Sequence, residues 1–272
     1  MSSGQFIMHR SALAGVQAVA AHSRRAFGRH MHDQFGIGVM RQGAQVSHSG
    51  RGQVEAGPGH VITVNPGEIH DGAPIGDGAR AWQMLYLDPD VVTQAVAELY
   101  ADGGTPPTYE FEHPASDHPG LARDVLALYA HATHGAAPLA CDALLLRILI
   151  NACSPTASGR RTEYLPGMPD AIRHARSLID DDPAASLSLA DLATASGLSR
   201  YQVLRAFARA TSMTPHAYQM QRRLLRARQL IRHGMTLADA AAASGFADQS
   251  HMTRLFVRTY GVSPRHYALA AR

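Results

Sequence analysis

"LADAAAASGFADQSHMTRLFVRTYGVSPRHY", residues 237–267, repeats an earlier and weaker stretch, "LADLATASGLSRYQVLRAFARATSMTPHAY", residues 189–218. Leu189, Ala190, Asp191, Ala193, Ala195, Ser196 and Gly197 recur 48 positions later as Leu237, Ala238, Asp239, Ala241, Ala243, Ser244 and Gly245. The offset then becomes 49, and Arg205, Phe207, Arg209, Pro215 and Tyr218 return as Arg254, Phe256, Arg258, Pro264 and Tyr267. The added residue falls in a turn, where an insertion leaves the flanking helices in register. Each copy reads as a short Ala-rich helix, a glycine turn and a second amphipathic helix, which is a helix-turn-helix. Gly197 and Gly245 stand where a helix ends in the left-handed conformation. Ser199 with Gln202 forms a capping box for the helix that follows, and Asp248 is an N-cap at the equivalent place.

The second helix of each copy has two faces. Val203 and Phe207 lie one turn apart and belong inside, as do Met252 and Phe256 in the other copy. That leaves Tyr201, Leu204, Arg205 and Ala208 outward, matched by Ser250, Thr253, Arg254 and Val257. Gln202 and Gln249 lie near the helix starts. A helix fits the major groove of DNA, and its N-terminal residues meet base edges. Arg reads guanine, Gln reads adenine, and Thr or Val methyls touch thymine. The expected connecting helix, Pro215–Arg232, is about 27 Å long at 1.5 Å per residue. Successive major-groove faces are roughly 34 Å apart. Two copies therefore extend the reading of one short helix to a neighbouring groove segment.

The charge distribution agrees. All 25 basic residues are Arg. Residues 1–159 carry 9 Arg against 14 acids, whereas residues 160–272 carry 16 Arg against 8. Clustered positive charge is the footprint of a polyanion partner, here double-stranded DNA, because each neutralised phosphate releases counterions. A chain of 272 residues is long enough for two domains. Cys141 and Cys153 fit neither a zinc motif nor a disulfide framework and read as two buried thiols on a helix. The apolar run Ala12–Ala21 is too short to cross a bilayer and lacks the features of a signal peptide. A cytoplasmic protein without a membrane partner is expected.

The expected fold is α+β, in three parts. Residues 1–153 form a sensing and dimerisation domain, 154–169 a linker rich in Pro, Gly and small polar residues, and 170–272 an all-α DNA-binding domain. Within the first part, residues 22–88 show short alternating runs between Gly and Pro, the texture of a small barrel. From 89 to 153 the pattern turns helical, with Leu121, Val125, Leu128 and Ala132 on one stripe and Leu144, Leu145, Ile148 and Leu149 on another. Helices near 119–153 are expected to join two copies into a homodimer.

Residues 186–268 resemble the DNA-binding region of the AraC/XylS family of bacterial transcription regulators. The resemblance rests on "LADLATASGLS", on the run Arg222–Ile231, and on "ASGFADQSHMTRLFVRTYGVSPRHY". It departs at Met252, where the family commonly has Phe or Leu, and at Val257, often Lys. It implies two recognition helices docked in adjacent groove segments, with Tyr201, Gln202 and Arg205 in the first and Gln249, Ser250, Thr253 and Arg254 in the second. Arg209, Arg222, Arg226 and Arg258 take phosphate or structural roles. It also implies a cupin-like sensing domain in front, and RNA polymerase is a further candidate partner.

"GRHMHDQFGIGV" (28–39) and "GHVITVNPGEIHDG" (59–72) resemble the two motifs of a cupin barrel. Alternation puts His30, His32, Gln34, Gly36 and Gly38 on one strand face and Phe35, Ile37 and Val39 on the other. "NPGEIH" is a turn that brings His70 alongside, and Trp82, Met84 and Tyr86 share a face of the last strand. The expected effector contacts are His30, His32, Gln34, His70, Trp82 and Tyr86. The reading is a sequence-specific transcription regulator that answers to a small-molecule effector, with no catalytic residues and no cofactor. The alternative is a metal-dependent cupin enzyme with a helical appendage, its metal held by His30, His32 and His70. Against it, the Glu usual after the second His of metal-binding cupins is missing.

Overall fold

A computed structural model describes residues 4–99, 108–135, 137–156 and 168–270. The chain divides into two compact units, one running through Glu163 and the other from Tyr164 to Ala268.

The first unit contains β1 (Gln5–His9), β2 (Val16–Ser23), β3 (Phe27–His30), β4 (Phe35–Gln42), β5 (Gln45–Ser49), β6 (Gly52–Ala56), β7 (Val61–Val64), β8 (His70–Pro74) and β9 (Arg80–Leu87). Helix α1 (Pro89–Leu99), strands β10 (Thr108–Phe111) and β11 (Ala115–Ser116), helices α2 (Pro119–His134) and α3 (Pro138–Ala152), and strand β12 (Cys153–Thr156) follow. Ten of these strands make a six-stranded sheet, β1-β2-β9-β4-β7-β11, and a four-stranded sheet, β3-β8-β5-β6, with β12 paired to β10 apart from both. Every pairing among the described strands is antiparallel.

The six-stranded sheet is apolar on both faces. Phe35, Ile37, Val39, Leu85 and Leu87 pack with Leu121, Val125, Leu128, Ala132, Ile148 and Leu149 of α2 and α3 in the main core. The other face carries Met40, Ile62 and Met84, with Val64, Trp82 and Tyr86 against them. Gly36 and Gly38 belong to this second face, and neither can carry a side chain. A Cβ on Gly38 would stand 2.4 Å from the Gln83 carbonyl oxygen, and one on Gly36 2.6 Å from the Val64 side chain.

Several expectations need correction here. The sheet begins with β1 and β2, before residue 22, and the region from 89 onward contains β10 and β11 as well as helices. His30, His32 and Gln34 do not share one strand with Gly36, because β3 ends at His30 and β4 starts at Phe35. Cys153 opens a strand and is half-buried, while Cys141 lies buried on α3. Residues 154–156, expected in the linker, pair with β10, and 157–167 lie outside the described residues.

The second unit consists of α4 (Asp170–Asp181), α5 (Leu189–Ser196), α6 (Arg200–Thr211), α7 (Pro215–Arg232), α8 (Leu237–Ala243), α9 (Gln249–Tyr260) and α10 (Pro264–Ala270). Side-chain caps set most of these starts. Ser188, Ser199, Thr214, Thr236 and Asp248 each accept a hydrogen bond from a backbone N–H of the first turn. Val203, Phe207, Met252 and Phe256 are fully buried, as their spacing predicts. The long helix α7 contributes Leu224, Leu225, Ala227 and Ile231 to the same interior.

Arg223 of α7 binds the unit together. Its Nε donates to the Pro183 carbonyl (2.7 Å), Nη1 to that of Gly245 (2.6 Å), and Nη2 to those of Ala184 and Ala185. The glycine turn of the second repeat is thereby held against the loop after α4. Gly245 has φ +79°, and a Cβ there would stand 2.8 Å from both the Cα and the carbonyl oxygen of Ala184. Gly234 has a comparable φ of +88° in open space. Gly245→Ala should therefore cost about 1 kcal/mol for the backbone plus about 1–3 kcal/mol for the clash, and Gly234→Ala only the first. Urea unfolding of the two variants measures the difference, and equal costs would show that the approach to Ala184 does not matter.

Candidate functional site

The outward faces of α6 and α9 form one candidate site. Tyr201, Gln202, Leu204 and Arg205 are exposed on α6, and Gln249, Ser250 and Arg254 on α9; Thr253 and Val257 are half-buried. Arg205 lies 5.5 Å from the centre of the Tyr201 ring and donates to its hydroxyl at 3.4 Å. Gln202 has a second task. Its Oε1 accepts the Ser199 N–H at 2.9 Å, while Ser199 Oγ accepts the Gln202 N–H, closing the expected capping box. In α9 the cap is Asp248, which accepts the His251 N–H.

Only part of the basic charge faces outward. Arg222 pairs with Asp180 at 2.8 Å and Arg226 with Asp182 at 3.3 Å. Arg176 meets both Asp180 and the Tyr218 hydroxyl, which burial pushes up to about 12. Arg228 is buried against the rings of Tyr260 and Tyr267. These side chains hold helices to one another. Arg200, Arg205, Arg209, Arg254, Arg258 and Arg265 are the exposed ones on α6, α9 and α10.

The second candidate site lies on the inward face of β3 and β8, against the six-stranded sheet. His30 and His70 are direct partners in the β3–β8 pairing. Their rings are 4.3 Å apart, and His32 is 5.1 Å from His30, 5.3 Å from His70 and 4.9 Å from Tyr86. The turn Asn65–Glu68 secures this group: the Gly67 N–H donates to the His32 carbonyl at 2.7 Å. Asn65 donates to Glu68 and to the Phe111 carbonyl. Burial first, and then the charge of His70, hold His30 down to about 3, against the hydrogen bond to Gly28 that favours its cation. Burial also lowers His70, in spite of the Glu68 carbonyl and the charges of Glu68 and Asp71. Both rings are neutral at neutral pH.

Trp82 lies further along the same face of β9, edge-on to Phe6 and Phe27. Gln34 does not join the group; it donates to Asp88 at 2.9 Å. Arg80 does, and sequence reasoning missed it, since one Arg at a strand start resembles a surface cation. It is 1% exposed and sits 5.0 Å from the Trp82 ring centre. Its Nη2 donates to the carbonyls of Gly72 and Arg25, while Nε and Nη1 have no partner. Among the described residues no carboxylate pairs with it. Burial lowers it to about 10, so it stays a cation at neutral pH. A separate cavity of about 400 Å³ lies across the sheet, lined by Val16, Val91, Ala95, Leu128, Cys141 and Leu145 among others.

A two-sheet unit with a buried polar cluster, followed by a paired helix-turn-helix unit, defines a ligand-binding regulator of transcription. The AraC-like ligand binding domain family matches residues 14–149, and a helix-turn-helix domain family matches residues 192–270. The chain belongs to the AraC family of transcriptional regulators and is not an enzyme. It is 27% identical over 226 residues to the uncharacterized HTH-type transcriptional regulator YbfI of Bacillus subtilis, covering 83% of this chain and 81% of that one. It is 26% identical to the HTH-type transcriptional activator RhaS of Klebsiella pneumoniae, covering 93% and 92%. The fold is that of unsaturated fatty acid bound ToxT from Vibrio cholerae, with a TM-score of 0.55 at 13% identity over 99% of this chain and 98% of that one. These relations set aside the cupin enzyme. Among the described residues no helix is long and apolar enough to cross a membrane.

Proposed function

We propose that α6 and α9 read adjacent major-groove segments of one operator, through Tyr201, Gln202 and Arg205 on the first and Gln249, Ser250, Thr253 and Arg254 on the second. The matched exposed faces of the two repeats carry this reading. Arg254→Ala and Arg205→Ala should each weaken specific binding by about 1–3 kcal/mol, roughly 5- to 150-fold. Arg10→Ala, an exposed arginine of the first unit, should leave it unchanged. Titration of DNA upstream of the protein's own gene, with unrelated competitor, checks this. Equal loss in all three variants would point to a general charge effect.

The effector occupies the space around His30, His32, His70, Trp82 and Tyr86, and Arg80 marks it as an anion. A buried cation without a counter-charge costs several kcal/mol, and a carboxylate would offset that cost. A carboxylate panel should contain a compound that raises the melting midpoint of the native chain, while its amide does not and Arg80→Met abolishes the rise. An equal rise in Arg80→Met, with native circular dichroism, would remove Arg80 from this role. The bound effector acts by favouring one arrangement of the chain over another, since a ligand shifts an equilibrium only through differential affinity.

The partner of the first unit is a second copy. Leu139, Ala143, Leu146 and Ile150 follow one another on α3 at helical spacing. Leu139 is 84% and Ile150 60% exposed, which is the apolar stripe a homodimer would cover. Ile150→Glu should convert the dimer to a monomer in light scattering; an unchanged mass would place the interface elsewhere.

A further inference from the structure

We infer that the cavity between α1, α2 and α3 is a second ligand site, and that it takes a small primary amine with an apolar body. It lies on the helix-covered side of the six-stranded sheet, away from the histidines and Arg80. Its volume of about 400 Å³ falls at the small end of the range for ligand pockets, about 300–1,000 Å³. Protein interiors hold few voids larger than a water molecule, so a space of this size among core residues calls for an occupant.

The backbone holds the walls apart. The loop between β1 and β2 is tied at two points: the Ala12 N–H donates to the Ala132 carbonyl of α2, and the Asp88 N–H to that of Gly15, both at 2.8 Å. Gly15 has φ +69°, and a Cβ there would stand 2.5 Å from the Val91 side chain. The loop therefore presses against the first turn of α1. One turn later α1 presents Ala95, which is too small to fill the space that this contact sets. Cys141 of α3 lines the same space with a side chain hardly larger.

The lining is apolar inside and polar at the mouth. Val16, Leu128 and Leu145 join Ala95 and Cys141 in the interior, whereas Gln94 and Asp142 line the cavity from exposed positions. Water inside would find few hydrogen-bond partners, and an apolar body that displaces it gains the hydrophobic effect. Asp142 is the only acidic or basic side chain in the lining, and no cation among the described residues pairs with it. An ammonium has three N–H donors and no acceptor. At the mouth it would donate to the Asp142 carboxylate and to the Gln94 amide oxygen. There it keeps part of its hydration and avoids the cost of a buried charge. A carboxylate at the same place would meet like charge. The cavity thus selects against the anions proposed above for the Arg80 chamber, and it stands or falls independently of that reading.

The test titrates the full chain with phenethylammonium at neutral pH, followed by calorimetry and the melting midpoint. One molecule per chain and a raised midpoint are expected. 3-Phenylpropionate, with the same ring and the opposite charge, should not displace the amine. Ala95→Leu fills the cavity and should abolish amine binding. Asp142→Asn, at an exposed position, should weaken it about 5-fold, the weight of one exposed ion pair. Arg80→Met should leave it unchanged, which separates this site from the chamber. No binding by the native chain, or undiminished binding in Ala95→Leu with native circular dichroism, overturns the inference. Equal affinity in Asp142→Asn, or displacement by 3-phenylpropionate, also overturns it, because the cavity would then have no preference for amines. If Ala95→Leu fails to fold, these last two measurements decide.

Discussion

The guanidinium of Arg223 fixes the geometry on which DNA reading depends. Its nitrogens meet the carbonyls of Pro183, Ala184, Ala185 and Gly245, joining the loop before the first repeat to the turn of the second. A planar fork serves this better than an ammonium, because several donors act in fixed directions. The same logic runs through the unit. Arg176, Arg222, Arg226 and Arg228 are spent on carboxylates and rings. The net positive charge of the second half thus overstates the charge that faces outward.

The first unit solves a different problem. Its six-stranded sheet must bury one face under helices and leave the other toward the histidine cluster. Strand alternation does this with little additional machinery. Leu85 and Leu87 turn toward α2 and α3, and Trp82, Met84 and Tyr86 turn away. Gly36 and Gly38 let β4 lie close to its neighbours on that second face. The histidines enter that side from β3, from the turn after it and from β8, and Arg80 enters from the start of β9.

Much of this was legible in the sequence. Caps and glycine turns place α5, α6, α7 and α9 almost to the residue, because Ser199, Thr214, Asp248 and Gly197 act locally. The alternation of Phe35, Ile37 and Val39 separates core from chamber correctly. What escaped was non-local. Strand β2 is rich in Ala and resembles a helix until β9 pairs with it. Gln34 follows the alternation of His30 and His32, yet the chain leaves the strand at Met31 and Asp88 captures the side chain. Arg80 is chemically ordinary in sequence; only the packed sheets show that no carboxylate among the described residues pairs with it.

The capping box at Ser199 has a consequence for how the two repeats can diverge. Gln202 anchors the start of α6 with the same side chain that is proposed above to meet a base, so any substitution there changes helix stability as well. Gln249 carries no such duty, because Asp248 caps α9. Mutations at 249 can therefore explore new operators without passing through weakened helices. The duplication leaves the start of one helix dependent on its own outward side chain and the start of the other free to drift.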